Sequence, residues 1–357
     1  MCKLKHDVYF LEDSNDYPSC YDPSRFETGT DPTYGLRFAS LVLGRIGLGD
    51  RWAYYDAHTN RWLGPLGDKA ITLCGSADLL INLAGVNPIR PWLRDIPRKV
   101  FVDQDPAFTQ IRNILDEKRR RLSNQHTSHY TFGENAGKDG CGIPDDGIDW
   151  KPTRQPVVLD MVQAAPGNTS GKFTTVMLWN SYPSLEYQGK KFGMKSDSFS
   201  PYFDIPIRVA EEFEIAVGGG RPPIDKLRTN GWSIVDPHEP TKNPWSYEKY
   251  IRNSKGEFSV AKHGYVISNS GWFSERSACY LANGRPVVLQ NTGFSDWMET
   301  GSGVLPFDNP DEAVSALEEI SGDYASHCKA ARQVAEQYFD SQKILRGLIE
   351  GALSERS

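Results

Sequence analysis

Residues 263–307 constrain this chain more than any other stretch: HGYVISNSGWFSERSACYLANGRPVVLQNTGFSDWMETGSGVLPF. They read as strand, turn, helix, strand, glycine turn and short strand. GYVIS is apolar and partly β-branched, as a buried strand requires. Ser270, Gly271 and Ser274 then break the pattern. Ser274 suits a helix N-cap, and Glu275 suits the first turn. Ala278, Leu281 and Ala282 share one helix face, and Asn283-Gly284 supplies the stop. RPVVLQ is the next strand, from which Asn291-Thr292-Gly293 turns away. A helix that follows a strand and opens on Gly and Ser is an anion site, because its unpaired N–H groups and its positive dipole end lie together. Arg276, in the first turn, adds a fork of donors suited to phosphate oxygens.

The remaining chain supplies the setting. Its 357 residues suffice for two domains of ordinary size, and 39% hydrophobic residues suffice for their cores. A net charge of −6 argues against a broad nucleic-acid footprint, although a local patch on such a protein can still read one. The basic run 118–121 follows Asp116 and Glu117 and fits a solvated helix face. Six scattered cysteines without a CxxC pair point to reduced thiols in the cytoplasm, and away from a zinc site. No apolar run is long enough to span a membrane. Nine Trp and sixteen Tyr suit either core packing or a carbohydrate site.

Taken in order, residues 7–12 read as a strand and 13–32 as a long polar loop. Residues 32–47 form a helix, 52–56 a short strand, 70–73 a helix or turn, and 76–83 a buried strand. Residues 99–103 are a further strand, with one helix over 108–121. Ligands of open α/β sheets lie beyond the carboxyl ends of the strands, which is where Asp103 and Asp105 fall. Either carboxylate could act as the general base toward an acceptor hydroxyl. Asp105 could equally cap the following helix ahead of Pro106, and Asp103 could be a structural hydrogen-bonding group. His126 and His129 occupy a polar stretch, and His129 beside a carboxylate would make a base; exposed loop histidines are the plainer account. The Gly/Asp/Pro-rich segment 138–149 marks a domain boundary. Beyond it, a weak strand at 157–159, a strong one at 172–179, and further elements at 213–217, 224–230, 232–235, 247–253 and 258–261 alternate as βαβ units do. Gly218-Gly-Gly220 is a turn, since Pro222-Pro223 intervene before any helix. Three amphipathic helices close the chain over 309–357.

WFSERSACYLANGRPVVLQNTG resembles the donor-site helix and following strand of glycosyltransferases with the GT-B fold. The tail is similar as well: Gly301-Ser-Gly303-Val-Leu-Pro-Phe307, the helix start Asn309-Pro-Asp-Glu312-Ala313, and the set Ala331, Arg332, Ala335, Glu336, Phe339 and Asp340. The resemblance is good over residues 258–352, weaker over 150–257 and only architectural before that. It implies two Rossmann-like α/β domains: an acceptor-side domain over 1–149, a nucleotide-sugar domain over 150–340, and a final helix, 341–357, packing back on the first. It implies transfer of a sugar from a nucleotide-sugar to an acceptor hydroxyl, with neither metal nor other cofactor. Ser274, Arg276, Tyr280, Thr292 and Gly293 would meet the donor, as would Lys191 and Lys195, which stand where such proteins carry a basic pair. Two features depart from the pattern. The chain opens at Leu4-Lys5-His6-Asp7-Val8, inside the usual first helix, so the first strand is expected upstream or absent. The paired glutamates of many retaining enzymes correspond to Gly271 and Cys279, so ribose recognition and stereochemistry do not carry over. An epimerase or hydrolase acting on a nucleotide-sugar, or a non-catalytic relative that binds one, are the alternatives.

Overall fold

The computed structural model describes residues 1–164 and 166–354. The chain gathers into two compact units: residues 1–103, 116–130 and 346–357 in the first, and 104–115 and 131–345 in the second. The segment 131–149 therefore groups with the second unit, whereas a single cut at 149 would put it with the first.

The first unit holds two short sheets. In one, β1 (Phe10–Asp13) pairs in parallel with β2 (Trp52–Asp56), which pairs antiparallel with β3 (Arg61–Leu63). In the other, β4 (Leu79–Leu83) pairs in parallel with β5 (Arg98–Asp103), and β6 (Ser128–Thr131) follows in the order. β2 and β5 are largely buried, whereas β1 and β4 are edge strands with Phe10 and Leu83 exposed. Leu11 of β1 and Leu80 of β4 pack against one apolar cluster of Cys74, Ile89, Leu93 and Ile96. Arg90 clamps the end of β1 through Asp13, with nitrogen–oxygen distances of 2.8 and 2.9 Å.

The second unit is built on one six-stranded parallel sheet. Its strands are β7 (Phe173–Leu178), β8 (Phe213–Gly218), β9 (Trp232–Val235), β10 (Gly256–Ser259), β11 (Val287–Gln290) and β12 (Val304–Phe307), in the spatial order β9-β8-β7-β10-β11-β12. The chain starts at the middle, winds outward on one side, then returns to the other side of β7. Every residue of β10 and β11 is buried, as expected of parallel strands covered on both faces. One face carries an aromatic core in which Phe258 and Phe307 stack with centroids 5.4 Å apart. The other carries Phe273, Ala278, Leu281, Val287 and Phe339.

Four sequence expectations are corrected. GYVIS is not a strand but part of helix α2 (His263–Ile267): β10 already fills that sheet position, and Tyr265 is drawn off to Trp272, against which it stacks at 4.4 Å. Tertiary contacts override the β-branched preference here. The loop 13–32 contains a small antiparallel hairpin, Cys20–Asp22 with Glu27–Gly29. The helix over 108–121 is two helices, Phe108–Leu115 and Glu117–Ser123, because the Asp116 carboxylate caps the second by accepting from the Lys118 N–H at 2.8 Å. Residue 157 makes only an isolated bridge to Asp340. Among the described residues, no helix is long and apolar enough to cross a membrane.

Candidate functional site

In a doubly wound sheet the crevice opens where the strand order reverses. Here that point lies between β7 and β10. The two strands are in register for only two residue pairs, Phe173 with Gly256 and Thr174 with Glu257. Gly256 allows this approach, since a Cβ there would sit 2.6 Å from the Pro286 carbonyl oxygen and 2.8 Å from the Phe173 ring. Toward their carboxyl ends β7 and β10 have no further register pairs, and helix α3 (Glu275–Ala282) begins nearby.

The head of α3 is built as expected. The Ser274 hydroxyl accepts from the Arg276 N–H at 3.2 Å, and the Ser274 carbonyl accepts from Ala278 at 3.0 Å. The backbone N–H groups of Phe273, Glu275 and Ser277 meet no acceptor among the described residues. Phe273 and Ser277 line a small recess together with Ser259, Ser274, Arg276 and Thr292.

Arg276 is committed to the protein. Its Nη1 donates to the Val176 carbonyl on β7 at 2.9 Å, its Nη2 to the Ser259 hydroxyl on β10 at 2.7 Å, and its Nε to the Glu257 carboxylate. Burial works against its charge, but Glu257 outweighs burial and holds the guanidinium firmly protonated. Glu257 is fully buried, and its second oxygen has no partner among the described residues. The arginine thus straddles the crevice as an internally neutralised brace.

Lys195 interacts electrostatically with Arg276 and Glu275 but is not among the residues that line the recess. It opens the short helix α1 (Lys195–Ser198), is 8% exposed, and its ammonium nitrogen makes no hydrogen bond or ion pair among the described residues. Burial, with the charges of Arg276 and Lys262, pushes it well below the ordinary lysine value, against the pull of Glu257 and Glu275. Lys191 differs: it is exposed on the hairpin Leu185–Tyr187 with Lys190–Phe192 and pairs with Asp197 at 2.5 Å.

Thr292 lines the recess and donates through its hydroxyl to the Trp272 carbonyl. Gly293 has φ 88°, and a Cβ would come 2.2 Å from Asn269 Oδ1 and 2.6 Å from Asn135 Nδ2, so this turn admits only glycine. Asn135 braces it by donating to the Gly293 carbonyl at 3.0 Å. Tyr280 lies in the core, with its hydroxyl 2.6 Å from that of Thr174, and burial pushes its phenol up.

The expected bases fall in different places. Asp105 belongs to the second unit, and Asp103 and His129 to the first. Asp105 accepts from Lys262 at 2.9 Å, from the Tyr265 hydroxyl at 2.5 Å, from Arg112 at 3.2 Å and from the Tyr182 hydroxyl. Burial would raise its pKa, but the Lys262 charge and the two phenols together hold it low. So supplied with donors, it is a fixed anion. Asp103 is buried at the end of β5. His129 Nε2 lies 2.8 Å from the Ser123 carbonyl, and His126 shares that acceptor at 3.0 Å. Burial lowers the His126 pKa to about 4, so its ring is neutral near pH 7.

Glu257, Lys262 and Asn135 were missed from the sequence. Only Glu257 carried a signal: a lone carboxylate inside the apolar strand GEFSV, which must find a partner when buried.

No protein-family model and no curated protein matches the sequence. Solved structures do match in shape. An α-glucosyltransferase in complex with UDP-glucose and DNA containing an abasic site aligns at TM-score 0.58 and 12% identity, over 97% of this chain and 98% of that one. Anabaena Alr3699/HepE, in complex with UDP and glucose, aligns at 0.54 and 12%, over 98% and 100%. AviGT4, a glycosyltransferase of avilamycin A biosynthesis, aligns at 0.51 and 13%, over 97% of each. At such identities the likeness speaks for architecture, and this chain has the GT-B fold of those glycosyltransferases.

Proposed function

We propose that the protein is a glycosyltransferase that takes a sugar from a UDP-sugar to an acceptor hydroxyl. One observation carries this reading: the open head of α3 at the reversal point of the sheet, whose Arg276 and Glu275 interact electrostatically with the buried Lys195. Such a place suits a diphosphate, which brings negative charge and acceptor oxygens at once. The choice of UDP follows the similar proteins, several of which hold UDP or UDP-glucose.

In the proposed reaction the bond between the anomeric carbon and the diphosphate oxygen breaks, and charge grows on the departing UDP. The Lys195 ammonium and the N–H groups of Phe273, Glu275 and Ser277 would stabilise that charge. Thr292 and Gly293 would border the donor sugar or its phosphate. Arg276 would act indirectly, by fixing β7 and β10 on either side of the crevice. The acceptor hydroxyl must lose a proton, and Asp103 and His129 are the candidates for taking it; Asp105, held low by four donors, is not. The reading uses no metal, because the lysine and the helix head supply the positive charge. The cytoplasm fits the six free thiols.

Calorimetric titration with UDP tests the reading. The wild type should bind, and Lys195→Gln should bind more weakly; equal affinity would remove Lys195 from the site. UDP release from UDP-glucose without any acceptor would favour a hydrolase instead.

A further inference from the structure

Two hydrogen-bonding groups without partners meet at one place in the second unit. The Trp272 indole nitrogen and the Ser277 hydroxyl are buried and have no partner among the described residues. Both residues line the recess at the head of α3, and Ser277 is 0% exposed. Buried polar groups are nearly always satisfied, because an unmade hydrogen bond leaves the whole cost of desolvation standing. Local structure explains why each group stays open. A helical serine can turn to the carbonyl four residues back. Here that carbonyl, on Phe273, accepts from the Gln155 amide instead. Trp272 is fixed at its ring and at both ends of its backbone. The ring stacks on Tyr265 with centroids 4.4 Å apart and planes inclined by 29°. The Trp272 backbone N–H donates to the Ser270 hydroxyl at 3.3 Å, and its carbonyl accepts from Thr292. Tyr265 is held in turn by its hydroxyl bond to Asp105. The indole is thus set in place with its N–H unspent.

The larger polar side chains around the recess are engaged within the protein. Arg276 serves Val176, Ser259 and Glu257, and the Gln290 side-chain carbonyl accepts from the Ala261 N–H. The groups left over are mostly donors: the indole N–H, the Ser277 hydroxyl, and the backbone N–H groups of Phe273 and Ser277. An indole can only donate. Its complement is a group rich in acceptor oxygens with no proton of its own to place, as an ionised phosphate is. A sugar hydroxyl would bring a proton that Trp272 cannot accept. We infer that Trp272 Nε1 and the Ser277 hydroxyl are phosphate-binding groups, which donate to oxygens of the nucleoside diphosphate at the head of α3. The inference rests on the diphosphate-site reading above and adds two side chains to its backbone donors. It also accounts for the stack on Tyr265, which holds the indole N–H at a fixed place for a ligand to meet.

Titration calorimetry with UDP and with UDP-glucose tests this on two variants. Trp272→Phe keeps an aromatic ring against Tyr265 and loses only the N–H donor. Ser277→Ala removes the hydroxyl and places a good helix former in α3, so it remains a folded test if the smaller ring unsettles the first variant. Each should bind UDP about tenfold or more weakly than the wild type, the scale of a hydrogen bond to a charged group. A spectroscopic arm reads the indole directly. In the nitrogen-15-labelled protein, the indole proton resonance that Trp272→Phe lacks should move downfield when UDP is added. Wild-type UDP affinity in both variants, or an indole resonance that UDP does not move, would overturn the inference and leave the diphosphate-site reading standing. Unchanged affinity for UDP with weakened affinity for UDP-glucose would assign these donors to the sugar and overturn the phosphate role. A wild type that binds no UDP would overturn the diphosphate-site reading and this inference with it.

Discussion

The two units solve the same problem with unequal thoroughness. The second threads its chain through a continuous sheet of six parallel strands, and its two inner strands β10 and β11 have no exposed residue. The first divides its strands between two small sheets and a separate hairpin, and β1 and β4 leave Phe10 and Leu83 in contact with water. The acidic clamp also differs. Glu257 is fully buried under Arg276, while Asp13 under Arg90 shares its arginine with the exposed Asp16. The lesson is that the features proposed to bind an anion sit where the backbone is most constrained.

The contrast can be broken or sharpened by substitution. Glu257→Leu should be the most damaging change, about 3–5 kcal/mol, because it strands the Arg276 charge in the interior. Urea unfolding would measure it, and a loss below about 1 kcal/mol would show that Arg276 finds water instead. Phe258→Ala should cost about 3–5 kcal/mol in the same assay, against less than about 1 kcal/mol for Phe10→Ala on the exposed edge of β1. Similar losses at the two positions would erase the distinction between the units. Lys195→Gln should weaken UDP by about 1.5–3 kcal/mol, the scale of a charged hydrogen bond. Lys191→Gln, which breaks only an exposed pair with Asp197, should change it by about 0–1 kcal/mol. The reverse ranking would put the phosphate at the hairpin. The smallest effect should come from EDTA, which is expected to leave transfer from UDP-glucose unchanged; a loss restored by a divalent cation would show that Lys195 and the α3 head do not suffice.

Much of the second unit was legible in the sequence because its signals are local. Ser274 and Asn309 cap their helices as their residue types suggest, and Asn283-Gly284 stops α3 where expected. GYVIS misled because its composition says strand, while the position it would occupy in the sheet belongs to β10. The hairpin within residues 13–32 escaped because strands of three residues leave no periodic trace. In the site, the head of α3 was readable and the lysines were not. Lys191 and Lys195 lie four residues apart with the same chemistry, and only folding separates the paired from the unpaired. Asp105 was harder still: three of its four donors, Tyr182, Lys262 and Tyr265, lie 77, 157 and 160 residues away in the chain.

The Arg276 brace also orders events in time. It joins α3 to Val176, 100 residues earlier in the chain, and to β10, so the recess exists only after β7 and β10 have met. Contacts so distant in sequence tend to form late, after long loops have closed. A ligand that recognises the recess then recognises nothing on the way to it. UDP should accordingly slow the unfolding of this protein while leaving its refolding rate untouched, acting as a latch rather than as a template.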